Sequence, residues 1–229
     1  MNLETALAEL RATAPARPGK LVAIGLNYRD HVREAGMELP ARPLVFAKLP
    51  TSVIGDGDAI ELDRSLTARV DWEVELAVVV GRTMRRVPAG DALDHVLGYT
   101  VANDVSARDL QFGDGQWVRG KSLDTFCPLG PVVVPASEIP DPQALGLRTR
   151  VNGETMQDSS TAEMVFGVAE LLSFCSHSFT LEPGDVVLTG TPWGCGEFMD
   201  PVRSLQHGDV VEVEIDGIGT LSNPVVELA

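Results

Sequence analysis

The stretch Asp71-Trp72-Glu73-Val74-Glu75-Leu76-Ala77-Val78-Val79-Val80 constrains the fold more tightly than any other part of this chain. Read as a strand it alternates, so Asp71, Glu73 and Glu75 share one face while Trp72, Val74, Leu76, Val78 and Val80 share the other. Beyond Glu75 both faces turn apolar, with Ala77 and Val79 on the acid side, which is the pattern of a strand buried on both sides. Carboxylates two residues apart at the entrance to a core repel each other and lose hydration. A divalent cation with oxygen ligands compensates both costs most directly. An edge strand with one solvated acidic face gives the same alternation, so periodicity alone leaves the two readings level.

The rest of the composition narrows the class. A length of 229 residues allows one large β-rich domain, and a net charge of −15 argues against nucleic acid or an anionic membrane as partner. No apolar run approaches the roughly 18 residues of a membrane span. Met1 to Leu10 carries Glu4 and Glu9 and no cationic region, unlike a signal peptide. Cys127, Cys175 and Cys195 are widely spaced and fit reduced thiols, so a cytoplasmic protein is expected.

Around the acid strand the pattern predicts a helix over residues 3–12, strands at Leu21–Leu26 and Leu44–Lys48, and a helical turn or two from Asn27 stopped by Gly36. A helix over Ala89–Val96 leads to a strand, Leu97–Ala102, that delivers Asn103 and Asp104, and Gly113–Trp117 reads as a loop. Asn152-Gly153 is a strong hairpin signal within 147–157. Ser160-Thr161-Ala162-Glu163 has the form of a capping box opening a helix to about His177. Gly184-Asp185-Val186-Val187 and Gly208-Asp209-Val210-Val211 hint at a repeated turn-strand unit.

Several side chains have types suited to chemistry. Asp104 beside Glu73 and Glu75 would complete an all-oxygen site of the kind that suits Mg²⁺ or Mn²⁺, although an aspartate before a loop is also an ordinary cap. His31 and Glu34, spaced i, i+3, meet on a helix, where the carboxylate fixes the imidazole tautomer and makes a general base; a surface pair has the same spacing. Lys48 and Lys121 are cations among loop and apolar residues, and Arg108 has the fork to clamp a carboxylate or to pair with Asp104 or Asp109. Leu188-Thr189-Gly190-Thr191-Pro192-Trp193-Gly194 is a strand running into a glycine-rich turn that offers N–H and hydroxyl groups to an anion, without the lysine and spacing of a phosphate loop. Cys175 and His177 have the spacing of half a zinc site with no second half.

Together these segments resemble the fumarylacetoacetate hydrolase family from about Leu21 to the C-terminus. The matching motifs are Gly25-Leu26-Asn27-Tyr28 with His31 and Glu34, Phe46-Ala47-Lys48, Asp71 to Leu76, Asn103 to Asp109, Lys121 to Pro128, and Thr189-Gly190-Thr191-Pro192. The resemblance implies a mixed α/β, β-rich fold of the β-roll type formed by that family's C-terminal domain. Residues 1–20 would be a short N-terminal segment and 21–229 a single catalytic domain. It implies Glu73, Glu75 and Asp104 as ligands of Mg²⁺ or Mn²⁺, and His31 and Glu34 as a catalytic pair on a lid. Lys121 would be a cation at the reacting centre, with Tyr28, Lys48, Arg108, Gln111 and Thr191 as substrate contacts. A homodimer is implied as well.

The motifs begin about twenty residues into the chain, which makes the resemblance closest to the short acylpyruvase, oxaloacetate decarboxylase and 2-hydroxyhepta-2,4-diene-1,7-dioate isomerase members. The expected reaction is metal-dependent cleavage of C–C bonds in small 2-oxo acids, with the isomerase or a non-catalytic binding relative as alternatives. Trp193 stands where many relatives carry a small residue, and either narrows the pocket or packs elsewhere.

Overall fold

The computed structural model describes residues 18–228. The helix expected over residues 3–12 lies outside them. Seven strands form the main sheet: β1 (Leu21–Gly25), β2 (Leu44–Lys48), β3 (Val53–Ile54), β6 (Val74–Val80), β7 (Val96–Asn103), β9 (Cys127–Pro135) and β12 (Val186–Leu188), in the order β2-β1-β12-β6-β7-β9-β3. A second sheet has the order β11-β10-β13-β14-β4, from β4 (Ile60–Leu62), β10 (Gly146–Val151), β11 (Glu154–Ser160), β13 (Val210–Ile215) and β14 (Gly219–Glu227). The short strands β5 (Val70–Asp71) and β8 (Ser106–Ala107) pair with each other. Among the described residues there are also four α-helices: α1 (Arg29–Glu34), α2 (Arg108–Asp114), α3 (Val118–Lys121) and α4 (Val168–Ser178). The mixed, strand-rich roll implied by the resemblance is therefore the observed fold.

β6 lies inside the main sheet, between β12 and β7, and all its residues are buried, which disposes of the edge-strand reading. Val74, Leu76, Val78 and Val80 face the second sheet and belong to the large core with Leu147, Val213 and Leu221. Ala77 and Val79 enter a smaller core on the other face with Leu21, Leu129 and Leu188. Glu75 shares that second face by alternation, so the acid enters the sheet in line with apolar residues.

Asp71 to Val80 is two strands rather than one. The chain leaves β5 at Asp71 and begins β6 at Val74, because the Glu73 N–H donates to the Asn103 side-chain oxygen (3.0 Å) and the Glu73 carbonyl accepts from Asp104 N–H (2.9 Å). The strict alternation breaks there, and Asp71 goes its own way.

Three further expectations are corrected. The capping box at Ser160 closes only a single 3₁₀ turn, Thr161–Glu163, with Ser160 Oγ accepting from Ala162 N–H. The helix begins later, at Val168, because residues 164–166 are held extended against the end of β1: Tyr28 bridges Met164, and Val165 and Phe166 N–H donate to the Asn27 carbonyl and side-chain oxygens. Residues 89–95 form a 3₁₀ rather than an α-helix. Most of 113–117 is loop, yet α2 runs on to Asp114 before Gly115 ends it at φ 66°. The hairpin is as expected, with Asn152 at φ 54° and Gly153 at φ 80°, the doubly left-handed turn that suits the strand twist.

Candidate active site

Strands β1, β2 and β6 and helices α1, α2 and α3 all contribute to the wall of one cavity of about 250 Å³. Its floor is the acid cluster. Glu73 precedes β6, Glu75 lies on it and Asp104 follows β7, and each offers an oxygen within 4.8 Å of the others. All three are buried. Among the described residues this is the only cluster with the geometry of a metal site.

Cations surround the floor. Lys121 Nζ donates to Glu73 (2.7 Å) and Asp104 (2.9 Å) and stands 5.4 Å over the Phe46 ring. Lys48 Nζ reaches the other Asp104 oxygen (2.5 Å) and the carbonyls of Val105 and Lys121. Its three donors are thereby used, and it lies under the cavity rather than in its wall. Arg108 pairs with Asp71 and Glu73, and not with Asp104 or Asp109. Its Nε donates to Asp71 (2.8 Å) and its Nη1 to Gln111 Oε1 (3.0 Å).

Asp71 is thus separated from the metal acids. Besides Arg108 it accepts from the N–H groups of Trp72, Gly196 and Glu197, which fastens the 195–198 turn to the floor.

The charges act on one another. Burial would raise the Glu73 carboxyl, but Lys121 and Arg108 outweigh it and hold it at about 2. Glu75 goes the other way: burial and the Asp104 and Glu73 charges push it well above the ordinary carboxylate range, against the pull of Lys121 and the Gly190 N–H. Burial would lower Lys121, yet Asp104 and Glu73 keep its pKa raised. A trio of oxygen donors with one carboxyl under electrostatic stress fits a hard divalent cation, which would relieve the repulsion at Glu75.

The base and the loop lie across the cavity. His31 is buried on α1, with Nδ1 3.1 Å from Glu34 Oε2. A carboxylate only accepts, so Nδ1 carries the proton and Nε2 is left for the cavity. The His31 ring also meets the Phe198 ring edge to face, with centroids 5.2 Å apart. Glu34 Oε1 accepts from Gly194 N–H (2.9 Å), tying the base to the 190–195 loop. In that loop Gly190 N–H donates to Glu75 (2.7 Å). Only glycine suits Gly190, at φ +96° with Asn27 Cβ 2.8 Å from where a side chain would start. The loop's expected anion-binding N–H is therefore spent on a protein carboxylate.

Arg108, Gln111, Thr191, Lys121 and His31 all line the cavity. Tyr28 does not: it is fully buried, and burial with the Glu75 and Asp30 charges raises its pKa well above normal. Trp193 is outside the wall too: it is exposed, its indole donates to the Asp158 carbonyl (3.2 Å), and it does not narrow the pocket. Cys175 is buried and His177 exposed, with Nδ1 on the Ser173 carbonyl, which dissolves the zinc half-site.

Sequence reasoning missed Phe46, Trp117 and Phe198 as cavity walls, and Gln157 beneath the loop. Gly25 carried the one signal for a wall: a Cβ there would stand 2.4 Å from the Trp117 ring. Nothing in the local pattern singles out Gln157.

The polar groups of the cavity are sorted by kind. Arg108 can only donate to Gln111 Oε1, which leaves the Gln111 amide NH₂ turned to the cavity. Gln111, Thr191, Arg108 and Lys121 thus present hydrogens to the cavity, while its floor is made of the carboxyl oxygens of Glu73 and Glu75.

The model of the fumarylacetoacetate (FAA) hydrolase C-terminal family matches residues 20–226. The chain is 47% identical over 223 residues to the Bacillus subtilis protein named oxaloacetate tautomerase YisK, covering 96% of this chain and 74% of that one. It is 49% identical over 211 residues to the Xenopus laevis protein named mitochondrial oxaloacetate tautomerase fahd2, covering 91% of this chain and 66% of that one. Among solved structures, fumarylacetoacetate hydrolase from Exiguobacterium antarcticum superposes with a TM-score of 0.88 at 45% identity, covering 94% of this chain and 78% of that one. The Mycobacterium smegmatis structure named 5-carboxymethyl-2-hydroxymuconate delta-isomerase gives 0.84 at 44% identity, covering 94% and 82%. The matched span, the identities and the shared fold show that the chain belongs to the fumarylacetoacetate hydrolase family.

Proposed function

We propose that this chain moves a proton at the carbon beside the keto group of a small 2-oxo acid, interconverting its keto and enol forms, with oxaloacetate as the simplest substrate. The observation that carries this reading is the division of the cavity into an oxygen-only floor and a hydrogen-donating wall. That pairing takes a divalent cation below and a compact, oxygen-rich acid above, and a cavity of about 250 Å³ suits a ligand of that size. The relatives named tautomerase and isomerase share such a proton transfer.

A bound Mg²⁺ or Mn²⁺, held by Glu73, Glu75 and Asp104, would supply a Lewis acid that polarises the keto group. The chain's own residues do the rest. His31 Nε2 takes the proton from C3; the C–H electron pair becomes the C2–C3 double bond, the carbonyl π pair moves to the 2-oxo oxygen, and a proton returned from the imidazolium to that oxygen completes the enol. Glu34 holds the ring through Nδ1 and steadies the imidazolium that forms. Lys121, kept charged by its carboxylates, and Arg108 offset the developing negative charge.

Cleavage of a C–C bond is the second reading: when CO₂ leaves oxaloacetate the C3–C4 bond pair stays as the C2–C3 double bond of an enolate, whose charge Lys121 and Arg108 are equally placed to offset. Both are tested in one sample of oxaloacetate by following enol absorbance and pyruvate release together, with and without Mg²⁺. Enol decay that outpaces pyruvate release supports tautomerisation; equal rates favour cleavage; neither signal removes both readings. We infer as well that the chain works as a homodimer, supported by β2, the outer strand of the main sheet, with Leu44 and Val45 exposed. A monomer by sedimentation would end that inference.

A further inference from the structure

Gln157 lies behind the cavity wall rather than in it, is fully buried on β11, and uses both ends of its amide. Its Oε1 accepts from Val74 N–H (3.0 Å) and from the Thr149 hydroxyl (2.7 Å). Its Nε2 donates to Thr191 Oγ1 (3.0 Å) and to the carbonyls of Pro192 (3.0 Å) and Trp193 (3.3 Å), with Cys195 Sγ at 3.8 Å. The orientation of this amide is fixed by chemistry. Val74 N–H can only donate, and the two carbonyls can only accept, so a flipped amide would set donor against donor and acceptor against acceptor.

The consequence falls on Thr191, whose hydroxyl has one hydrogen to give. Because Nε2 donates to Thr191 Oγ1, that hydrogen is not engaged with Gln157. Among the described residues no protein atom accepts it. Thr191 lines the cavity, so the hydrogen is available there. We infer that Gln157 is a positioning residue that makes the Thr191 hydroxyl an obligate donor toward the cavity, and so selects ligands that bring an acceptor oxygen to that point. Without it Thr191 could face either an acceptor or a donor, since a free hydroxyl serves as both. The fully satisfied amide removes that choice before any ligand arrives.

This inference rests on the 2-oxo acid reading of the cavity, and the probes are chosen to separate the two. Titration calorimetry measures Mg²⁺ alone, and then oxalate on the Mg²⁺-loaded protein. Gln157→Glu places an acceptor-only carboxylate against Thr191, which draws the hydroxyl hydrogen away from the cavity. Oxalate affinity is expected to fall about tenfold, the size of one hydrogen bond to a charged group, while Mg²⁺ affinity stays within about threefold. Thr191→Val should lose about tenfold as well, and Thr191→Ser should restore binding. The double variant Gln157→Glu/Thr191→Val should bind oxalate no more weakly than Thr191→Val alone, because both substitutions remove the same hydrogen bond. Where Gln157→Glu does not fold, Gln157→Met leaves the hydroxyl free to turn either way, so its loss of oxalate affinity is expected to be smaller than that of Thr191→Val and to vanish in the Thr191→Val background. Multiplying losses in the double variant overturn the inference, as does a parallel loss of Mg²⁺ affinity, which would make Gln157 a packing residue only. Undiminished oxalate binding by Thr191→Val overturns it without any change at Gln157. Failure of the unsubstituted protein to bind oxalate removes the 2-oxo acid reading itself, and this inference with it.

Discussion

Four buried carboxyl groups, Asp71, Glu73, Glu75 and Asp104, lie in and beside the floor with three buried cations, Lys48, Arg108 and Lys121, and with a proton on Glu75 the charges balance. A divalent cation would add positive charge there and prepare the cavity for an anion. Because Glu75 titrates above its ordinary 4.5 and Glu73 at about 2, the two contribute stability in opposite directions. Folded Glu75 holds a proton that the unfolded chain releases, so its contribution is lost as pH rises from 4.5 upward. Glu73 contributes fully above 4.5, and that share is lost as pH falls toward 2. Metal-free protein is thus expected to lose Tm as pH is raised above the ordinary carboxylate range, and Mg²⁺ affinity should rise over the same span as Glu75 gives up its proton. Scanning calorimetry with chelator and with Mg²⁺ across that range checks both. His31→Ala is expected to keep Mg²⁺ affinity and lose roughly a hundredfold in turnover, as for a missing general base; lost Mg²⁺ binding would make His31 a ligand instead. Asp71→Ala leaves Arg108 short of a buried partner, and about 3–5 kcal/mol of stability should go with it in a urea titration. The pairing of Glu73 with Glu75 was legible because two residues is the strand period. The different fate of Asp71 was not, since it depends on Asn103, thirty positions away, catching the Glu73 N–H.

Elements were readable where their chemistry is local. The Asn152-Gly153 hairpin needs nothing beyond its own two left-handed residues. The hinted Gly-Asp unit proves to be one turn used three times, at Gly57-Asp58, Gly184-Asp185 and Gly208-Asp209. Each glycine has φ between 81° and 88°, and each aspartate accepts from the N–H three residues back. The start of α4 was unreadable because Asn27, far away in sequence, holds residues 165–166 extended. The 190–195 loop depends as much on distant partners: Gly194 sits at φ +95°, and a Cβ there would stand 2.2 Å from the Met156 carbonyl. Gly194→Ala must therefore displace the loop, along with the N–H that holds Glu34. Both thermal stability and turnover should fall, measured as Tm and as enol decay. Wild-type values in both would mean that the loop yields freely. In β6, Leu76→Ala opens a hole in the larger core and should cost about 2–5 kcal/mol in denaturant titration.

At the scale of the molecule, strand order was beyond local reading. β12 enters between β1 and β6, pairing parallel with one and antiparallel with the other, across more than a hundred residues of chain. That insertion brings the Thr189–Thr191 turn beside Glu75. Because the floor is assembled from parts distant in sequence, cation binding should stabilise the whole domain. Saturating Mg²⁺ at about a hundred times its dissociation constant is expected to add about 2.7 kcal/mol, read as a rise in Tm.

The acids and the base are mounted differently. Glu75 belongs to a central strand, whereas His31 rides on a six-residue helix held to the rest through Gly194 N–H, the Ser159 hydroxyl on Asp30 and the Met164 carbonyl on Arg29. A helix that short does not persist on its own. Amide hydrogen exchange should accordingly report two clocks in one site, with β6 and β7 amides exchanging only on global unfolding and α1 amides exchanging through a cheaper local opening. Each such opening would withdraw the base and leave the acid floor in place, so ligand could enter and leave while the charge framework stays assembled.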